Sequence, residues 1–319
     1  MTSPVIAQAL SDVPLSVGTM YFGTTVPPDT AHQVLDTAVE AGARFVDTAN
    51  NYAFWVEGGT GSDSENCLGQ WLKTKPARVR DELTIATKVG ARPAVTTAGK
   101  VTEFFGLSPQ AIRAQVTGSL TRLGVERIDV LYAHIDDTTT PLEDTLGAME
   151  ELVAEGLVGA IAGSNLTADR LPGTLDAAGR ARYAGLQQRF TYLRPNPGAD
   201  LSPHVLLDED VEQFCREHGM TMLGYSPLLS GAYTRPDRPI PGGYRGQTAA
   251  RALAALTDVA DAHGLDAGQV VLAWMAQREA PVYPVVGVST PEQLEAAVEA
   301  VTTTLPAQTI NALETTRRG

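Results

Sequence analysis

Ile128-Asp129-Val130-Leu131-Tyr132-Ala133-His134 is a nearly unbroken apolar run that ends on an ionisable side chain. A strand buried on both faces reads this way, because helices cover both sides of a parallel sheet. Working outward, the same form recurs. Arg44-Phe45-Val46 ends on Asp47, and Thr84-Ile85-Ala86-Thr87 ends on Lys88. Ala160-Ile161-Ala162-Gly163 ends on Ser164 and Asn165, Ala184-Gly185-Leu186 on Gln187, and Met222-Leu223-Gly224 on Tyr225 and Ser226. With their flanks the predicted strands are Leu15–Thr19, Phe45–Thr48, Leu83–Lys88, Ile128–His134, Val158–Ser164, Tyr183–Gln187, Thr221–Tyr225 and Val282–Val286.

Helical patterns alternate with these strands. Ala31, Val34, Leu35, Ala38 and Val39 follow helical spacing until Gly42 stops them. Ser108-Pro109 opens a helix toward Leu123, with proline at the first helical position, and Pro141-Leu142-Glu143 opens another. Thr290-Pro291-Glu292-Gln293 predicts a capping box. Eight strands alternating with helices predict a (β/α)8 TIM barrel, a single domain over residues 1–319. A doubly wound sheet is the alternative, but no glycine-rich dinucleotide fingerprint follows the first strand. Ala53–Asp63 and Leu229–Gln247 interrupt the rhythm, and long segments of this kind are usually functional lids or disordered.

Composition narrows the function classes. The 319 residues are 43% hydrophobic and carry a net charge of −13, which argues against a nucleic-acid or anionic-membrane partner. Cys67 and Cys215 fall in helical patterns outside any CxxC, so buried free thiols in a reducing, cytoplasmic setting are expected. No run approaches the ~18 apolar residues of a membrane span, and the opening residues lack a signal-peptide pattern. His218 and His263 precede glycines at helix ends, where an imidazole suits the dipole. His32 sits on an amphipathic helix and His204 in a proline-containing loop, and none pairs at metal-ligand spacing, so no metal is expected.

In a barrel every C-terminal strand end shares one rim, the place where barrel enzymes keep their active sites. Asp47, Lys88, His134, Asn165, Gln187 and Tyr225 therefore converge. Singly each has an ordinary explanation: a helix-capping Asp, a solvated Lys, a satisfied core His. Their joint occurrence at strand ends is the informative feature.

The segments FVDTANNY (Phe45–Tyr52), IATKVG (Ile85–Gly90), DVLYAH (Asp129–His134), GSN (Gly163–Asn165) and GYSPLLSG (Gly224–Gly231) resemble the aldo-keto reductase family in order and spacing. VGTMYFG (Val17–Gly23) and VVGVSTPEQL (Val285–Leu294) extend the resemblance over nearly the whole chain. It implies an NAD(P)H-dependent reduction of an aldehyde or ketone, with a catalytic tetrad of Asp47, Tyr52, Lys88 and His134. Tyr52 would be the general acid. A phenol's ordinary pKa near ~10 makes it a reluctant donor. Lys88 is expected to lower that pKa, Asp47 to keep Lys88 charged and His134 to orient the carbonyl oxygen.

The resemblance also implies cofactor contacts, with NADPH expected and NADH possible. Asn165 and Gln187 would hold the nicotinamide carboxamide beside Ser164, and Tyr225 would stack on the ring. Gly18, Thr19 and Met20 would line its site, next to Asp47. Ser226, Pro227, Leu228 and Gly231 would follow the pyrophosphate. Gly287, Ser289 and Gln293 would meet the adenosine end at a helix N-terminus.

Two departures stand out. Relatives often place glycine after the tetrad tyrosine, whereas Tyr52 is followed by Ala53-Phe54-Trp55, and Ser64-Glu65 comes only after a glycine-rich stretch. Phe54 and Trp55 read as loop anchors or as a wall of the substrate site. Many relatives also carry Arg or Lys after the glycine at Gly287, where this chain has Val288, Ser289 and Thr290, with Ala297 further on. Two other classes fit the same barrel. One is a cofactor-binding auxiliary subunit, resembling potassium-channel β-subunits; the other is a lyase with Lys88 as Schiff base, which the cofactor signature disfavours.

Overall fold

The computed structural model describes residues 5–97, 100–177, 179 and 181–318. Its strands are β1 (Ser16–Gly18), β2 (Phe45–Asp47), β3 (Thr84–Val89), β4 (Pro93–Thr97), β5 (Lys100–Phe104), β6 (Ile128–Ala133), β7 (Val158–Ser164), β8 (Gly185–Arg189), β9 (Thr221–Tyr225) and β10 (Val282–Gly287). Helices α1 (Val5–Ala9), α2 (Pro28–Glu40), α3 (Asp63–Lys73), α4 (Ala77–Glu82), α5 (Pro109–Leu123) and α6 (Leu142–Ala154) belong to the first half. Helices α7 (Leu171–Asp176), α8 (Glu209–Glu217), α9 (Gln247–His263), α10 (Ala267–Gln277), α11 (Pro291–Thr302) and α12 (Ala307–Arg318) follow. Among the described residues no helix is long and apolar enough to cross a membrane.

β1, β2, β3, β6, β7, β8, β9 and β10 pair in chain order, all parallel, and β10 returns to β1 to close the barrel. The register sets Gly18 against Asp47 and Gly287, Lys88 against Tyr132, and Ser164 against Gln187. The strand-end residues thus gather at one end of the barrel. Leu15–Thr19 shortens to three residues, and the strands at Gly185–Arg189 and Val282–Gly287 run one or two residues beyond their predicted ends.

The barrel interior is packed, not hollow. Phe45, Ala86, Val130, Tyr132, Ala160, Ala162, Ala184, Leu223 and Val285 fill it, and Ile6 and Leu10 close its N-terminal end. The many alanines leave room for this plug. At Gly185 a Cβ would stand 2.8 Å from the backbone oxygen of Thr221 and 2.9 Å from Ile6 Cδ1, so glycine is required there chiefly by the neighbouring strand, with the plug adding to the crowding. The plug helix α1 is only five residues long, too short for periodicity to reveal it.

Helix ends follow the sequence signals. Ser108 accepts from Ala111 N at the start of α5, and Gly124 caps its end with φ 66°. At α11 half of the expected box forms. Thr290 Oγ1 accepts from Gln293 N, but Gln293 Oε1 accepts from Ser289 N at 2.8 Å, one residue before the cap. A complete capping box joins Asp266 and Gln269 at α10 instead. Cys67 and Cys215 are buried free thiols, as expected. The antiparallel β4–β5 pair is an addition to the predicted elements. Its residues are mostly exposed on both faces, so they carry no hydrophobic alternation to read.

Candidate active site

Asp47 ends β2 and Lys88 lies near the end of β3, and both side chains are wholly buried inside the rim. Burial of a charge is costly unless it is paired and fully hydrogen-bonded. An ammonium has three protons to place. The three acceptors here are Asp47 Oδ2, in a direct ion pair, Thr48 O at 3.0 Å and Tyr52 Oη at 2.6 Å. Asp47 is satisfied in turn, since Gln187 Nε2 donates to its Oδ1 at 2.9 Å and Tyr52 Oη to its Oδ2 at 3.2 Å. The Tyr132 ring lies 5.6 Å from Lys88 Nζ and adds a cation–π contact from the opposing strand.

Burial pulls the Lys88 pKa below the usual lysine value, and Asp47, with Glu65 further off, opposes the fall. The Tyr52 phenol is pushed well above its ordinary range, first by burial and then by Asp47. This corrects the expectation that Lys88 lowers it. In the resting site the phenol hydroxyl faces both members of the ion pair, so the cation's pull is countered while desolvation remains. Tyr52 is therefore a protonated phenol held against an ammonium.

His134 follows β6, with its backbone N–H on Val89 O at 2.9 Å and its ring edge-on to Tyr52 at 5.9 Å between centroids. Burial first, then Lys88, holds its pKa well below the usual value, so the imidazole is neutral near pH 7. Its buried Nδ1 has no hydrogen-bond partner among the described residues.

Ser164 ends β7 and Asn165 follows it. Asn165 Nδ2 donates to His134 O at 3.0 Å and Ser164 Oγ at 3.2 Å, while its Oδ1 accepts from Tyr225 Oη at 2.7 Å and Val205 N at 3.1 Å. Ser164 Oγ donates to Gln187 O at 2.7 Å. Gln187 lies within β8, which continues to Arg189, and its amide turns inward to Asp47. His204, read from sequence as a loop residue, places Nδ1 3.1 Å from Tyr225 Oη. With the Tyr225 proton on Asn165, His204 must donate from Nδ1 to that oxygen. Nothing in the sequence around His204 signals this contact.

Five non-glycine residues have left-handed φ among those described: Ala53, Asn165, Ser226, Leu229 and Ser230. All lie in segments leaving the C-terminal ends of β2, β7 and β9. Such conformations cost about 1–3 kcal/mol each and collect at functional sites. Ser226, Leu229 and Ser230, with Gly231 at φ 89°, bend the backbone after β9 into a close series of turns. Gly287 is exposed, with nothing within 4 Å of the place a Cβ would occupy, and Ser289 follows just before α11. Gly18 is the reverse case, since a Cβ there would press on Val286 O at 3.3 Å. Thr19 Oγ1 donates to Asp47 O at 3.1 Å, Met20 is half-buried, and Pro227 O accepts from Thr191 Oγ1.

Ser64 and Glu65, at the start of α3, are fully buried. Ser64 Oγ joins Thr19 Oγ1 at 2.7 Å and Thr48 Oγ1 at 2.8 Å, tying the ends of β1 and β2 together. Glu65 takes Thr87 Oγ1 at 2.6 Å and Arg122 Nε at 2.6 Å. Thr87 precedes Lys88, so this ion pair braces the strand that presents the lysine. In the sequence the Ser-Glu pair stands displaced; the extended loop before it still delivers both residues to the rim. A groove of about 1270 Å³ lies elsewhere, lined by Phe190, Arg194, Asp208, Thr248, Arg278 and Arg317. It contains none of the Asp47–Tyr52–Lys88–His134 cluster, and chemistry rather than cavity size locates the site.

A parallel eight-stranded barrel thus holds a buried lysine, aspartate and tyrosine together at its C-terminal rim. The family model described as aldo/keto reductase family matches residues 14–318. The chain is 30% identical to norsolorinic acid reductase stcV of Emericella nidulans, over 95% of this chain and 78% of that protein. It is 32% identical to aldo-keto reductase str7 of Strobilurus tenacellus, over 80% and 71% respectively. Among solved structures, a thermostable aldo-keto reductase in complex with the inhibitor epalrestat superposes with a TM-score of 0.72 at 22% identity, covering 95% of this chain and 94% of that one, which supports the fold. This chain belongs to the aldo/keto reductase family and is an NAD(P)H-dependent oxidoreductase.

Proposed function

We propose that the protein reduces the carbonyl of a small-molecule aldehyde or ketone to an alcohol, with Tyr52 as general acid. The observation that carries this reading is the Lys88 ammonium bonded at once to Asp47, Thr48 O and Tyr52 Oη at the rim. When bound, a reduced nicotinamide supplies the hydride. Tyr52 Oη gives its proton to the carbonyl oxygen, and Lys88, already 2.6 Å away, balances the phenolate left behind. Asp47 keeps Lys88 charged as the phenol ionises. Neutral His134 donates a hydrogen bond to the carbonyl oxygen without competing for the proton.

The residues present fit a nicotinamide dinucleotide. Tyr225 and Asn165 form a braced pair beside His134, with Ser164 next to them and Gln187 on the adjoining strand, to orient a carboxamide and ring. Gly18, Thr19 and Met20 line the adjoining strand end. The left-handed turns of Ser226–Gly231 suit a pyrophosphate, through the backbone N–H groups such turns expose. The open Gly287, with Ser289 and Gln293 at the α11 N-terminus, suits the adenosine end. NADPH is accepted on this reading, but no Arg or Lys occurs in residues 287–297, so it is discriminated from NADH less than in an Arg-bearing relative. A reducing cytoplasm suits the two buried free thiols.

The test is Tyr52→Phe. Turnover should fall by at least ~10²-fold while cofactor affinity, read by fluorescence titration, is retained. Near-wild-type turnover would overturn the assignment. Tight cofactor retention with no turnover of any carbonyl, in the parent protein, would favour an auxiliary-subunit role.

A further inference from the structure

The geometry points to Glu65 as a positioning residue for the proposed reduction: gripped by Arg122, it fixes Lys88 from the outer face of β3 and helps hold the protons of the Lys88–Tyr52 pair. The inference rests on the carbonyl-reductase reading and adds a residue that lies outside the cluster meeting the reacting atoms.

Successive side chains on a strand point to opposite faces. On β3, Lys88 turns into the barrel toward Asp47, and Thr87 turns out toward the helices, where Glu65 Oε1 accepts from its Oγ1 at 2.6 Å. Glu65 Oε2 accepts from Arg122 Nε, on α5, at 2.6 Å. The two helices meet closely there, since a Cβ at Gly69 of α3 would fall 2.1 Å from Arg122 O. Arg122 Nη2 also donates to Ser119 Oγ at 3.2 Å, which fixes the guanidinium. Ser64, the neighbour of Glu65, takes the other side. Its Oγ lies 2.8 Å from Thr48 Oγ1, and Thr48 O is one of the three acceptors of the ammonium. One dipeptide thus holds both the residue before Lys88 and a residue that receives one of its protons.

Stability alone does not account for a charge at this place. The Glu65 side chain is fully buried and that of Arg122 is 20% exposed. Neutral, well-packed residues of similar volume often serve a fold as well as a buried ion pair, or better. What a charge adds to a brace is its field, which solvent screens little in the interior. Lys88 is faced by Asp47 from β2, by the Tyr52 and Tyr132 phenols and by the neutral His134 imidazole, and Tyr52 also by the Tyr225 phenol. Glu65 is faced by Arg122 from α5 and by Arg92 from the segment after β3, which also faces Asp63. Two carboxylates therefore support the ammonium, Asp47 from inside the barrel and Glu65 from outside. Asp47 touches the phenol as well, whereas Glu65 acts through the strand.

The experiment follows the alkaline limb of kcat/KM for benzaldehyde and butanal with NADPH, where loss of the acid's proton ends turnover. Glu65→Gln keeps an acceptor for Thr87 but removes the charge and leaves Arg122 unopposed. Its limb should move to lower pH by about one unit, the scale of one charge acting through a dry strand. Arg122→Gln leaves the carboxylate unopposed and should move the limb to higher pH. Thr87→Val cuts the contact and keeps both charges, so kcat should fall with the limb in place. Limbs that move by less than about 0.3 unit in both charge variants, or that move the same way in all three, overturn the proposal, because a merely structural brace gives no reversal of sign. Should Glu65→Gln not fold, Arg122→Gln decides alone, and an unmoved limb there overturns it. If the parent reduces neither aldehyde, the reductase reading fails instead. Positioning is then read in the apoprotein, by NMR of isotope-labelled tyrosine. The Tyr52 resonance, assigned by its loss in Tyr52→Phe, should begin to ionise at lower pH in Glu65→Gln than in the parent. An unmoved Tyr52 titration overturns the positioning role whatever the reaction.

Discussion

Replacing Lys88 by Met keeps the length of the side chain and removes its charge. The consequence follows from what is left behind. Asp47 loses its counter-ion in a fully buried position and keeps only Gln187 Nε2 and the Tyr52 hydroxyl as donors. Breaking a buried pair by removing one partner costs about 3–5 kcal/mol, because the surviving charge is uncompensated. Two retained donors place the expected cost near the lower end, about 3 kcal/mol. Asp47→Asn alone strands the ammonium and should cost a similar amount, about 3 kcal/mol. In the double variant neither charge remains, and the amide oxygen that replaces the Asp47 carboxylate can still accept from Gln187. The double variant should therefore be more stable than Lys88→Met alone, by about 2 kcal/mol, although it carries one substitution more. The coupling expected from the cycle is then large, well above the roughly 0.5 kcal/mol scatter of independent sites. Urea unfolding of the apoprotein at pH 7, followed by circular dichroism and tryptophan emission, measures all four corners. Activity should be lost in all three variants, which separates stability from catalysis. Additive costs in the double variant would refute the buried-pair reasoning.

Ser289→Arg should raise the NADPH/NADH ratio of kcat/KM by roughly 10-fold or more, the worth of one Arg–phosphate contact; an unchanged ratio would mean the 2′-phosphate is met elsewhere. Ser289 is chosen over Thr290 because Thr290 Oγ1 caps α11. Ile6→Ala opens the plugged end of the barrel and should cost about 2–4 kcal/mol in urea unfolding; a loss below about 1 kcal/mol would show that α1 contributes little to the closed barrel. His134 is held neutral chiefly by burial, so its folded pKa lies below the unfolded value near ~6.5. The unfolded state therefore binds more protons between the two values, and stability falls as pH drops below ~6.5. His134→Gln should flatten that acid limb by about 1 kcal/mol between roughly pH 6.5 and 5.5, and parallel melting curves for parent and variant across this range would count against it.

The barrel was legible because its strands are buried on both faces. Val158–Ser164 and Thr221–Tyr225 match residue for residue, since an apolar run ended by a polar residue has little freedom in register. The convergence of Asp47 and Lys88 also followed from strand ends sharing a rim. Other parts left no comparable trace. Glycine at position 185 looks like an ordinary strand weakness until Thr221 O and Ile6 are seen against it. His204 acts through a long irregular loop, and no periodicity links it to Tyr225. The direction of the Tyr52 pKa escapes a sequence reading, which gives the neighbours of a residue but not its depth. Gln293 forms a hydrogen bond one residue away from the one its motif suggests, a difference set by the backbone path of Ser289–Thr290 rather than by residue type.

Left-handed backbone on residues other than glycine falls, among the described residues, at one end of the barrel. At the turns that lead from helices into strands, positive φ is met by Gly42, Gly124, Gly156 and Gly219, which adopt it without strain. At the opposite rim glycines such as Gly90, Gly106 and Gly231 share the conformation with Ala53, Asn165, Ser226, Leu229 and Ser230, in which it is less favourable than in glycine. At position 165 glycine would not suffice. The Asn165 side chain holds His134 O, Ser164, Tyr225 and Val205 N together, and that set fixes a polar arc beside the proposed acid. The strain is tolerated because these bonds over-determine the residue, each contributing about 1 kcal/mol where burial makes an unpaired group costly. A rim built this way can hold a buried ammonium, a raised phenol and a neutral imidazole in one geometry before any substrate arrives, so the reorganisation that catalysis would otherwise demand is supplied during folding.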